Sequence, residues 1–380
     1  MLNKEKSVFA GKIKIFAITA LIFLLAFVLV LIAPVSAQKN SFQEETLEVT
    51  IINVLEEKEI EIMEDKKLYQ KLECLVTKGS LKDKKVIIEN GNIPIVNLQK
   101  YKTGDSLVVS FSQDFEGNNI FYITDYIRRN SLFWLFFIFA VLTVMVGRWR
   151  GLNSLLGMVI SFFIIFSFIL PKISAGADPI QIAIIGSLFI IPVTFYLSHG
   201  FNKKTTVAIG GTVIALVITG ILAGIFVESA KLTGFASEEA GFLQASKTGL
   251  VNIKGLLLAG IIIGVLGVLD DVTVSQSAIV FQLKQTNTKI KLAELYKRAM
   301  DIGKDHIASM VNTLVLVYTG AALPLLLIFV NNPRPFSEII NYEIIADEIV
   351  RTLVGSIGLV LAVPITTIIA SLIVQKTKSG

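Results

Sequence analysis

Asp270 and Asp271 stand together near the end of an apolar run that begins at Gly255. Gly260, Gly264, Gly267, Asp271 and Ser275 follow at intervals of four, three, four and four, so on a helix they form one stripe. A carboxylate inside a membrane span costs at least ~2.5 kcal/mol on insertion scales, and it normally faces a partner, a cavity or water. The chemistry open to it there is the binding of a proton, an ion or a small polar solute. A second polar stripe follows, with Asp305, Ser309, Asn312 and Thr313 at i, i+4, i+7 and i+8. It enters its apolar run from the same side as the Asp pair, so the two stripes could meet. His306, next to Asp305, then becomes a candidate proton-linked switch.

Plainer readings stand beside these. Gly260 with Gly264, and Gly220 with Gly224, fit close helix packing in lipid, and the polar stripes fit interhelical hydrogen bonds. If the helix ends near Val274, both Asp residues lie at an interface, whereas continuation to Phe281 puts them well inside. Adjacent residues also point about 100° apart on a helix, so Asp270 and Asp271 need not share a site.

Catalytic signatures are absent. An intramembrane aspartyl protease would place Gly directly before its Asp, where Leu269 stands, and an Asp-Asp-x-x-Asp metal site would need Asp where Val274 stands. Neither a Gly-x-Ser-x-Gly elbow nor a His-Glu-x-x-His zinc helix occurs. The single Cys74 excludes a disulfide framework within the chain and a thiolate metal cluster. The expectation is therefore no enzyme, no cofactor and no metal.

The elements that must position these residues are apolar runs. The chain is 53% hydrophobic and only 17% charged, against about a quarter charged in soluble proteins. Runs near the ~20 residues that cross a bilayer as helix lie at Ile15 to Ala33, Leu132 to Val146, Leu155 to Leu170, Ile180 to Leu197, Thr206 to Val227, Gly255 to Val274, Ile307 to Val330 and Thr352 to Val374. They predict a polytopic, all-α helical bundle of about seven to eight spans. Pro192, Pro324 and Pro364 interrupt three of them and mark candidate kinks.

Lys4, Lys6, Lys12 and Lys14 precede the first run and place the N-terminus in the cytoplasm. Alternation then puts the basic segments 148–150, 199–204 and 284–304 and the C-terminus in the cytoplasm of a cell-membrane protein. Arg128 and Arg129 run against the scheme, but they close a long translocated segment, where loop charge has little weight. Residues 1–37 read equally as a cleaved signal peptide or a retained anchor. Both readings export residues 38–130, ahead of a transmembrane region 131–380.

The exported segment changes character, with short alternating stretches at Leu47 to Ile51, Leu72 to Val76, Lys85 to Ile88, Leu107 to Phe111 and Ile120 to Ile123. Gly-containing turn signals separate several of them. Five short strands predict a small OB-like or SH3-like β-barrel outside the cell. Residues 39–125 carry 11 basic against 16 acidic residues, so this domain is not suited to lie on an anionic lipid surface. The overall charge of +5 comes from basic residues beside helix ends, which argues against nucleic acid.

The stretches from Gly264 to Ser277 and from Gly303 to Pro324 resemble the YibE/F-like bacterial membrane proteins, and the likeness spans most of residues 147–374. The resemblance implies a multipass membrane protein and carries over no catalytic residue. The leading expectation is a transporter or channel-like permease for a small ion or solute, embedded in the lipid bilayer and able to form a homo-oligomer. The alternative is a structural or assembly component of the envelope whose exported β domain binds a partner protein.

Overall fold

A computed structural model describes residues 45–62, 65–91, 99–114, 117–246, 251–331 and 334–376. The apolar run at 15–33, with its signal-or-anchor alternatives, lies outside them. The described residues fall into two compact units that divide between Leu142 and Thr143.

The first unit is a curled, fully antiparallel sheet of β1 (Glu45–Ile62), β2 (Asp65–Lys78), β3 (Lys85–Asn90), β4 (Ser106–Gln113) and β5 (Asn119–Tyr126), in the order β3-β2-β1-β4-β5. All five predicted stretches fall inside these strands. Alternation explains the core: Leu47, Val49 and Ile51 point inward with Leu72, Cys74, Val76, Ile88, Leu107 and Val109. Register shifts in β1 at Glu48/Val49, Ile51/Asn53 and Val54/Glu56 are bulges, and bulges bend a strand. Bent in this way, β1 pairs with both β2 and β4. Gly79 makes the β2–β3 turn possible at φ 119°, where a side chain would also overlap Leu47.

Cys74 is fully buried in this core, and burial pushes its thiol up to about 12. Thiolate, the reactive form, is therefore scarce at neutral pH. We expect no maleimide labelling of the folded protein at pH 7.5 and full labelling after denaturation; rapid labelling of native protein would contradict the packing.

Arg129 donates two hydrogen bonds to Glu48, at 2.7 and 2.6 Å. The Arg129 hydrogen bonds hold the Glu48 carboxyl below its ordinary 4.5 against the opposing effect of burial, with the charges of Arg129 and Lys78 adding to the lowering. The folded value is the lower one, so this stabilisation is present above pH 4.5 and is lost as pH falls through the folded value. Arg129 is well exposed, which limits the pair to about 1 kcal/mol or less. Glu48→Gln should accordingly lower hydrogen-exchange protection in β1 slightly at pH 7 and leave it unchanged once pH has fallen below the folded value, so the pH dependence flattens.

The second unit is helical. Five helices are long and apolar enough to cross a membrane: Arg129–Ser174, Pro179–His199, Lys203–Ser229, Ile253–Thr286 and Glu343–Lys376. A bent pair, Leu292–Ala321 with Leu323–Val330, raises the number to six if it is one span. Among the described residues, length and composition alone thus count five or six spans, with the run at 15–33 outside them and the runs at 132–146 and 155–170 counted together. The runs at 132–146 and 155–170 fall within one counted helix but are two helical segments that meet at a kink at Arg148 (φ 50°, ψ −131°), where the sequence predicts a connection. The break is sharp: a Cβ on Gly151 would overlap Thr143 O and lie 2.9 Å from its carbonyl carbon. Residues eight apart on a straight helix are separated by about 12 Å. The 72° bend falls beside Pro324, one of the expected kinks.

We label the helices α1 (Arg129–Ile164), α2 (Leu170–Ser174), α3 (Pro179–His199), α4 (Lys203–Ser229), α5 (Glu238–Ser246), α6 (Ile253–Thr286), α7 (Leu292–Ala321), α8 (Leu323–Val330), α9 (Phe336–Ile339) and α10 (Glu343–Lys376). A π-helical turn, Ile165–Ile169, joins α1 to α2. The centre is α6, which packs against α3, α4, α7 and α10. Small residues close the contact between α4 and α10, where Gly211 meets Thr366 and Gly358 meets Thr219. Buried polar groups tie these helices together at the end of α6 that carries Gln276 and Lys284. Gln276 donates to Ala299 O and Thr367 Oγ1, at 3.0 and 2.7 Å. Lys284 reaches Ile290 O and Gln375, whose amide also donates to Ile290 O. Thr212 and Thr273 join α4 to α6 at 2.7 Å.

Candidate functional site

Because α6 continues to Thr286, Asp270 and Asp271 lie near its middle. Asp270 lines a cavity of about 370 Å³ between α1, α3 and α6. Hydroxyls ring it: Ser154 and Ser161 from α1, Thr194 and Ser198 from α3. The apolar wall includes Phe162, Ile190 and Ile263. Gly267, one helical turn from Asp270, also lines the cavity, and a Cβ there would meet nothing within 4 Å. The π-helical turn begins at Ile165, another lining residue. Such turns widen a helix locally and often occur at functional sites.

Asp270 Oδ1 is shielded from solvent and has no hydrogen-bond partner. Its nearest ionisable neighbour is His199, with Nε2 at 4.0 Å. His199 is the last residue of α3, where Gly200 ends the helix at φ 81°. The carboxylate, the imidazole and four hydroxyls together can bind a cation, a proton or a small polar solute.

The other expected residues are placed differently. Asp271 is exposed, turned away from the cavity that Asp270 lines, and Ser275 is half-buried. On α7, Asp305, Ser309, Asn312 and Thr313 are exposed and His306 is half-buried. Thr313 donates back to Ser309 O at 3.0 Å. Among the described residues, no hydrogen bond or ion pair joins the α6 stripe to the α7 stripe. The histidine beside the Asp pair is therefore His199 and not His306.

The glycine stripe also has a different surrounding from close packing. Cβ atoms on Gly260 and Gly264 would approach only Arg351 Nη1 and Tyr318 Oη, each at 3.8 Å. Gly220 faces Ile262, and Gly224 meets nothing within 4 Å. The close approaches between helices occur instead at Gly211, Gly303 and Gly358.

Two further charged residues escaped the sequence reading. Asp347, 6% exposed, and Arg351 line a second cavity of about 250 Å³ at the start of α6 and α10. They lie just before the apolar run counted from Thr352. Their i, i+4 spacing, on a helix that continues into that run, was the available signal.

Leu256, Gly260, Ile263, Gly267 and Asp270 alternate by four and three along α6 and join both cavities to one helical face. A family model described as YibE/F-like protein matches residues 135–376. No curated protein and no solved structure matches the chain.

Proposed function

Because the chain belongs to the YibE/F-like family, we propose that it is a membrane permease in which α6 carries the path of a small ion or solute through the bundle. One observation carries this reading: Asp270 presents a carboxylate oxygen with no hydrogen-bond partner, its ion-pair contact with His199 no closer than 4.0 Å, inside a membrane-length helix and beside a cavity ringed with hydroxyls. A carboxylate in that position is costly unless a ligand, a proton or water offsets its charge. A purely structural residue would be paired in the protein.

The break at Arg148 supports counting α1 as two crossings, which gives seven spans with the bent pair taken as one. An exported β unit then puts the connections at 200–202 and 287–291, and the C-terminus, in the cytoplasm of a cell-membrane protein. His199 and Asp270 fall toward that side and Asp347 toward the outside. Curling brings β3 near β5, which suits a partly open OB-type barrel. The reading gives Asp270 a binding role and no catalytic one.

The test is a screen of solute and ion fluxes in proteoliposomes. Saturable flux above protein-free vesicles supports a permease, and its absence across inorganic cations, anions, amines and amino acids overturns it.

A further inference from the structure

The second cavity is built differently from the first. Its wall is mostly apolar, with Leu243 from α5, Leu256 and Leu257 from α6 and Ile344 from α10. Its charged lining consists of Glu239, Asp347, Glu348 and Arg351. Glu348 Oε1 lies 3.6 Å from Arg351 Nε, which makes no hydrogen bond, so this pair offsets one positive against one negative charge by proximity only. Glu239 and Asp347 remain, and the described lining is anionic overall.

Asp347 is the informative group. It is more than nine-tenths buried, it lines the cavity, and its Oδ1 has no hydrogen-bond partner. A neighbouring carboxylate, Glu343, is fully engaged. It accepts from Thr233 N, Thr233 Oγ1 and Gly234 N and pins the loop after α4 over the start of α10. The fold therefore satisfies one acid of this helix with three donors and leaves the next, one turn on, without any.

We infer that this cavity binds a small organic ammonium, its N–H donors on the Asp347 carboxylate and its alkyl body against the leucines. An unpaired buried acceptor in an anionic cavity calls for a cation that donates hydrogen bonds. A bare metal ion fits poorly: it requires several oxygen or nitrogen ligands, and no group of three or more His, Cys, Asp or Glu residues among those described is arranged to hold one. The apolar wall and a volume near 250 Å³ suit a ligand with a short hydrocarbon part. As the outer station of the α6 path, the site rests on the permease reading for its role in transport; ligand binding alone does not depend on it.

The full-length protein in nanodiscs is titrated calorimetrically with n-propylammonium chloride, with sodium chloride and alanine as comparators at equal ionic strength. Saturable binding of propylammonium, absent for both comparators, is expected, and Asp347→Asn should weaken it at least tenfold. Asn is isosteric and removes an unpaired charge, so this variant is expected to fold. Gly260→Leu gives an independent check, because it adds bulk to the cavity wall where only Arg351 Nη1 comes within 4 Å; it too should abolish binding. Equal binding by wild type and both variants overturns the site, as does equal response to sodium or alanine. Asp347-dependent binding without any flux would keep the site and remove the permease. Flux of another solute without Asp347-dependent binding would do the reverse.

Discussion

Gly358→Val lowers the melting temperature of the detergent-solubilised protein by roughly 5 °C or more. The wild-type position has no room: a Cβ would overlap Thr219 Oγ1 and lie 3.1 Å from Thr219 Cβ and Cγ2. Thr219 cannot swing aside easily, because it is fully buried, β-branched and hydrogen-bonded to Ala215 O at 2.8 Å. Overpacking of this kind costs about 1–3 kcal/mol, and each kcal/mol moves the melting point of a unit this size by about 2–4 °C. Thr219→Ala should recover part of the loss in a Gly358→Ala background, since the two residues touch and their effects couple. Gly267→Ala supplies the contrast. It faces open space, so it should leave the melting point unchanged or raise it slightly. Equal destabilisation at both glycines would mean that α4 and α10 do not pack as described.

If the proposed permease reading holds, Asp270→Asn reduces flux about tenfold or more, equivalent to ~1.4 kcal/mol or above. The substitution keeps the shape of the side chain and removes the charge that the cavity hydroxyls and His199 surround. His199→Gln should have a smaller effect, because its ring is 4.0 Å away and does not complete a hydrogen bond. Asp271→Asn should leave flux unchanged, as that side chain is exposed and outside the cavity lining. Wild-type flux from Asp270→Asn would remove the cavity from the transport path. Loss from Asp271→Asn but not Asp270→Asn would move the path to the other face of α6.

The strands of the β unit were legible because alternation has a period of two and each buried face is completed by its neighbours. β1 and β2 nevertheless run well beyond the expected stretches, since the charged residues around Glu56 to Glu59 mask a ribbon held by backbone pairing. The apolar helices were legible from length, and the basic segment 148–150 marked the break at Arg148, while the number of crossings depends on how the kinked helix and the bent pair are counted. The Asp pair was visible as a chemical oddity. Its partner was not, because His199 precedes Asp270 by 71 positions and only packing of α3 on α6 brings them together. Small-residue spacing likewise identified glycines without saying which face is covered. Gly260 and Gly264 have only one side-chain tip each in loose contact at 3.8 Å, while Gly211 and Gly358, which lie in no such pair, make tight contacts.

The polar ties around Gln276 and Lys284 have a mechanical consequence. They join α6, α7 and α10, and the Thr212–Thr273 bond adds α4. Separating any of these helices at that end breaks buried hydrogen bonds, each leaving groups whose desolvation costs about 1–3 kcal/mol. That end of the bundle behaves as a pinned joint. The Asp270 cavity lies on the flank of this joint, against α1 and α3, so widening it by a swing of α1 leaves those bonds intact.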